Sequence, residues 1–164
     1  MPQYSEILSD ENILNMVKPY YKKVLLLGCG GCMNESLAFL HSSPLVVHGP
    51  KDTFPALEFE LHHLSKLLES NGLSTKTLII PPGSNLNCIR NIHGTKFTLP
   101  KDFNIDVILV LSCPAGQGGI SKTLKNIPLI NITKLSGQLY YKFLDDGKKR
   151  IIVNGKIWSL LTEL

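Results

Sequence analysis

Two uninterrupted apolar runs, Val24 to Leu27 and Val107 to Leu111, constrain this chain more than any other feature. Neither alternates with polar residues, so each has to be buried on both faces, the pattern of a strand inside a parallel sheet covered by helices. Both runs lead into cysteine. The first enters Gly28-Cys29-Gly30-Gly31-Cys32 and the second enters Ser112-Cys113-Pro114. In an open α/β sheet the loops leaving the carboxyl ends of the strands converge on one crevice, so cysteines far apart in sequence can meet there.

The rest of the chain alternates around these runs. Ser9-Asp10-Glu11-Asn12 opens a helix with Ile13, Met16 and Val17 on one face, stopped by Pro19. A strand over 23–28 is followed by a helix over 34–40, and Leu45-Val46-Val47-His48 reads as a second strand. Asp52-Thr53 offers a capping oxygen before Pro55, and Leu57, Leu61, Leu64 and Leu68 then recur at helical spacing up to Asn71-Gly72. Thr75 to Ile80 and Pro128 to Ile132 are further strands; the glycine-rich stretch Pro114 to Gly119 reads as a turn leading into a short helix through Lys125. In the tail, 138–144 and 150–153 flank the hairpin signal Asp145-Asp146-Gly147, and Asn154-Gly155 offers a second turn before Ile157-Trp158. The prediction is a Rossmann-like, mostly parallel α/β sheet with a C-terminal β-hairpin extension. Its parts are an N-terminal helix or arm (1–22), an α/β metal-binding domain (23–135) and a hairpin extension of that same domain (136–164). With 164 residues, 43% of them apolar, the chain suits one domain with a real core.

The net charge of +4 is mild and the lysines are scattered, which argues against a nucleic-acid stripe. The N-terminal residues lack the charged-then-apolar order of a targeting signal, and no apolar stretch reaches membrane-spanning length. The expected location is the cytoplasm, without nucleic-acid or membrane partners. In that reducing compartment, four cysteines that include a CxxC favour metal or redox chemistry over structural disulfides.

Cys29, Cys32, Cys88 and Cys113 together supply a four-thiolate ligand set. Small residues between two cysteines let backbone amides face the sulfurs, and Gly30-Gly31 meets that requirement. The inventory suits zinc and an iron–sulfur cluster alike. Gly28, Gly30, Gly31 and, beyond the second run, Gly116 are the candidate cofactor-lining glycines, their amides serving as donors to cluster sulfurs. A competing reading takes Cys29 and Cys32 alone as a dithiol redox pair at a helix N-terminus. A dinucleotide fingerprint fails, since Met33 stands where its third glycine belongs and the second strand ends in His48-Gly49 rather than an acid. His41, His48, His62, His63 and His93 share no ligand-like spacing, although His93 lies near enough to Cys88 to replace one thiolate. Glu58 and Glu60 read as a solvated helix face. No triad or paired carboxylates gather, so a non-catalytic subunit is expected rather than a lone enzyme.

The strand leading into Gly28-Cys29-Gly30-Gly31-Cys32, with Val107 to Ser112 leading into Cys113-Pro114-Ala115-Gly116-Gln117, resembles the small cysteine-rich methylenetetrahydrofolate reductase C-terminal, zinc-binding domain family. The resemblance covers residues 22 to 130. It implies an accessory, electron-transfer subunit for one-carbon metabolism that holds a metal centre and docks on a flavin-containing reductase or a corrinoid methyltransferase subunit. The family's anaerobic redox setting makes a [4Fe–4S] cluster the expected centre, with Zn2+ as the alternative. In that family a third cysteine follows the second by four positions; the matching residue here is Ser36, and the cysteine-rich tail is missing.

Overall fold

The structure, a computed structural model, describes residues 3–41, 54–80, 98–145 and 150–159. The strand expected at 45–48, the Asp52-Thr53 cap, the turn at 146–147, and the candidate residues Cys88, His48 and His93 lie outside them. The described residues form β1 (Gln3–Ile7), α1 (Asp10–Val17), β2 (Lys23–Cys29), α2 (Cys32–Leu40), α3 (Pro55–Ser70), β3 (Ser74–Ile80), β4 (Val107–Leu111), α4 (Pro114–Thr123), β5 (Leu129–Asn131), β6 (Thr133–Asp145) and β7 (Arg150–Ser159). The fold is mixed α/β, with a parallel four-stranded sheet and a smaller antiparallel one.

The parallel sheet has the order β3-β2-β4-β5. Its two inner strands are the apolar runs, and every residue of β4 is buried, as is every residue of β2 after Lys23. The pleat divides them. Val24, Leu26, Val107, Leu109 and Leu111 pack with α1, α2 and α3, whereas Leu25, Leu27, Ile108 and Val110 pack with Ile120 of α4. The leucines at 57, 61, 64 and 68 form the buried stripe of α3; burial of each such side chain contributes about 1.5–3 kcal/mol. Gly72, at φ 85°, ends that helix, and the amide of Leu73 bonds the carbonyl of Leu68 at 3.1 Å. Ser9 caps α1 by accepting the amide of Asn12 at 3.2 Å. Asp106 ties β2 to β4, accepting the amides of Lys22 and Lys23 at 2.9 and 2.8 Å.

Three expectations are corrected. The N-terminal arm contributes a strand as well as a helix, since β1 pairs antiparallel with β6. Its evidence is non-local: Tyr4 stacks edge-on against Phe39 of α2, and the ladder partner lies over a hundred residues away. The glycine-rich stretch after Cys113 is helical from Pro114 onward, because proline at the first helical position is pre-set for the turn, and Gly116, Gly119 and Ile120 of this helix are buried. Asn154-Gly155 makes no second turn. It lies within β7, opposite the register shift between Tyr140 and Lys142, so the extra residues are absorbed as a bulge.

Candidate thiol and metal site

After β2 the chain enters helices on one face of the parallel sheet, and after β4 it enters α4 on the other. These two strands are neighbours in register, Gly28 beside Leu111. Connections that diverge from adjacent parallel strands leave a crevice at the carboxyl ends. Cys29 ends β2, Cys32 opens α2 and Cys113 is the N-cap of α4, so all three described cysteines stand at that crevice.

The sulfurs that meet are those of Cys32 and Cys113, which share a hydrogen bond. The pleat explains why the nearer Cys29 is not the partner. It has the parity of Leu25 and Leu27, which pack with α4, while Cys32 opens the helix that packs on the opposite face. Cys113 accepts the S–H of Cys32 and the amides of Gly116 and Ala115, and these bonds pull its thiol down to about 6 in spite of burial. Cys32 is pushed the other way, by that same bond first, then by burial and the charge on Cys113, while the amide of Gln3 opposes the rise. The two thiols are thus pushed in opposite directions, Cys113 toward the thiolate and Cys32 toward the thiol.

Both loops are braced from the antiparallel sheet. The Ser112 carbonyl accepts from Thr133 Oγ1 at 2.6 Å and from Gln117 Nε2 at 3.0 Å. Ser36, one helical turn after Cys32, is fully engaged: its hydroxyl faces the carbonyls of Cys32 at 2.8 Å and Gln3 at 3.2 Å and accepts the amide of Ser5 at 3.2 Å. It works as a brace between β1 and α2. Above the turn sit Phe54 and Leu57; a Cβ at Gly30 would stand 2.6 Å from the Phe54 ring and one at Gly28 2.9 Å from Leu57. Gly31 is the N-cap of α2, and Gly116 lies buried in the first turn of α4 with its amide on the Cys113 sulfur.

Sequence reasoning missed Gln3 and Thr133, which carry no motif, and named Gln117 only as the last residue of the stretch Cys113-Pro114-Ala115-Gly116-Gln117, without a role. Ser36 was named only as the residue standing where the resembled family has its third cysteine. The histidines find other company: His41 faces Glu60 at 3.6 Å, His63 faces Asp10 at 3.1 Å, and His62 lines an open groove of about 300 Å³ with Glu58, Leu61 and Thr77. Glu58 also accepts the amide of Phe54 at 3.2 Å, a cap on α3.

A thiophilic metal was tested against this donor set. The two sulfurs in contact suit neighbouring positions in one coordination shell, and two buried polar atoms nearby in sequence, Ser112 Oγ and Asn34 Nδ2, find no partner among the described residues. Such orphans cost about 1–3 kcal/mol each unless a guest or water meets them. Among the described residues no three of His, Cys, Asp and Glu gather around one ion position, and Cys88 lies outside them. No helix among the described residues is long and apolar enough to cross a membrane. No protein-family model matches this chain, and no curated protein or solved structure matches it either, so the chemistry of the site is argued from its own residues.

Proposed function

We propose that this chain carries a thiolate-bound metal centre and serves as the accessory, electron-transfer subunit of a one-carbon system, a methylenetetrahydrofolate reductase or a corrinoid methyl-transfer complex. The contact between Cys32 and Cys113 at the crevice between β2 and β4 supports this reading most, because two soft donors from separate loops converge there. The ligands on this reading are Cys29, Cys32, Cys88 and Cys113, holding a [4Fe–4S] cluster or, as the alternative, Zn2+. A bound cluster would supply one-electron transfer.

The chain's own residues prepare for such a group. Amides of Ala115 and Gly116 favour the thiolate of Cys113, the form a metal requires. Gln3 places an amide on the Cys32 sulfur, the kind of outer contact that orients a ligand. Gly28 and Gly30 let Leu57 and Phe54 pack closely against the turn. The parallel order is consistent with a Rossmann-like domain, and the partner on this reading is a flavin-containing reductase or a corrinoid methyltransferase subunit in the cytoplasm. A dithiol enzyme working through Cys29 and Cys32 has the weaker support, because the sulfur that Cys32 touches is that of Cys113.

The test is anaerobic purification with metal analysis and visible absorption. A brown, iron- and sulfide-containing protein is expected, with metal lost in Cys32→Ser, Cys113→Ser and Cys88→Ser alike. Metal-free wild-type protein after expression with ample iron and zinc would refute the reading.

A further inference from the structure

Some of the lysines scattered along the sequence are gathered by the fold. Lys22 and Lys23 lead into β2 at the amino-terminal end of the parallel sheet, opposite the end that carries the cysteines. Their backbone is pinned on both sides: the Lys22 carbonyl accepts the amide of Ser74 and the Lys23 carbonyl that of Asp106, each at 2.8 Å, while Asp106 Oδ2 accepts both lysine amides. Side chains are positioned as well, since the ammoniums of Lys23 and Lys76 lie 6.0 and 5.6 Å from the centre of the Phe103 ring. Lys18, just past α1, reaches the same end and donates to Asn71 Oδ1, between α3 and β3, at 3.3 Å. Close by in the chain, Tyr20 is 76% exposed and stands edge-on to Tyr21 with ring centres 6.2 Å apart.

Lys76 has a carboxylate partner, Asp102 at 3.3 Å, whereas Lys18, Lys22 and Lys23 are exposed and form no ion pair among the described residues. Lysines whose backbone or side chain is already held lose less freedom when a partner arrives, so more of their attraction is left for binding. We infer that this end of the sheet docks an acidic segment of a partner protein, with Asp or Glu carboxylates on Lys18, Lys22 and Lys23 and an apolar side chain against Tyr20. An exposed aromatic ring is the kind of anchor that carries protein interfaces. The same residues fit nucleic acid less well. The cluster's cations are all lysine, without the guanidinium fork that grips phosphate at two points; the Phe103 ring already serves two ammoniums; and three unpaired charges are few for a phosphate backbone. Cys29 lies about 20 Å along β2 from Lys23, so a partner seated here leaves the cysteine crevice open, and the inference does not depend on whether a metal binds there.

The test titrates the full chain into a fluorescein-labelled oligoglutamate peptide with one central leucine and follows anisotropy. Saturable binding that weakens as salt is raised is expected. Lys18→Gln, Lys22→Gln and Lys23→Gln made together should weaken it about tenfold, or about 1.4 kcal/mol shared among three exposed charge pairs. The triple change Lys134→Gln, Lys142→Gln and Lys156→Gln removes the same charge from exposed positions on β6 and β7 and should leave affinity within about twofold. Carbodiimide coupling of the peptide to the wild-type chain, mapped by mass spectrometry, should place the new amide on Lys18, Lys22 or Lys23 and needs no variant. Absence of binding, equal loss in the two triple variants, or coupling confined to other lysines overturns the inference. So does tighter binding of oligothymidine, or of vesicles containing phosphatidylserine, that the first three substitutions abolish, since this end of the sheet would then serve nucleic acid or a lipid surface.

Discussion

Replacing Gly30 by alanine tests the packing that shapes the cysteine turn. The new Cβ would lie 2.6 Å from Phe54 Cε1, 2.8 Å from Cζ and 2.9 Å from Cδ1. Ordinary contact begins near 3.4 Å, so the ring or the turn has to move by about 0.8 Å. The ring has nowhere cheap to go, since Phe54 is 3% exposed and its amide is held by Glu58. Overpacking of this kind costs about 1–3 kcal/mol. For a chain of 164 residues, each kcal/mol lowers Tm by about 2–4 °C, which gives an expected drop of about 2–12 °C. The assay is thermal and urea unfolding followed by circular dichroism, with Phe54→Leu made alone and in combination. If the clash is the cause, the double variant recovers at least about 0.5 kcal/mol relative to the sum of the single changes. Gly118→Ala is the internal control: it lies in α4 with nothing within 4 Å of its Cβ position, and it should stabilise by about 0.5–1 kcal/mol. An unchanged Tm for Gly30→Ala, or strict additivity with Phe54→Leu, would refute the packing argument.

Ser36→Ala should cost about 1–3 kcal/mol, because the buried amide of Ser5 loses its acceptor whereas the helix retains its own hydrogen bonds; urea unfolding reads it, and a neutral result would mean that β1 does not depend on this brace. In reduced, metal-free protein, thiolate absorbance should reveal one group titrating near 6, absent in Cys113→Ser and moved upward in Cys32→Ala, which removes the largest cause of the depression. The sign for stability follows: Cys113 is depressed in the folded chain, so its contribution grows as pH rises from about 6 to the ordinary thiol range of about 8.5, and is lost as pH falls through about 6. A wild-type minus Cys113→Ser stability difference that stays flat over that window would contradict the assignment.

What could be read from sequence was what local physics decides. β2 and β4 were visible because a run with no polar alternation leaves few options, α3 because four leucines keep helical spacing, and α1 because Ser9 is followed by a suitable first turn. β1 was not visible, since Gln3–Ile7 gains its conformation from β6 rather than from its own pattern. Asn154-Gly155 carried a genuine local turn signal that pairing with β6 overrode. The same contrast holds at the site. Proximity in sequence couples Cys29 with Cys32, but the pleat and the helix that follows decide in favour of Cys113, a pairing that only the strand order β2-β4 supplies.

The antiparallel sheet gives this contact its definition. Gln3, whose amide meets the Cys32 sulfur, and Thr133, whose hydroxyl meets the Ser112 carbonyl, are at opposite ends of one ladder, with Gln3 opposite Gln138 and Ile7 opposite Thr133. The two cysteine loops leave the parallel sheet independently, yet each is fastened to a strand of the same pair. Both cysteine loops are thus tied to the β1–β6 register. Between Tyr4 and Ser5 that register shifts, and Ser5, beside the shift, directs its amide to Ser36 instead of relying on regular pairing alone. A slip of one residue in β1 would exchange its faces, turning buried Tyr4 away from Phe39 and withdrawing the brace from Cys32. A segment that looked like an appended arm is thereby part of what brings Cys32 to Cys113.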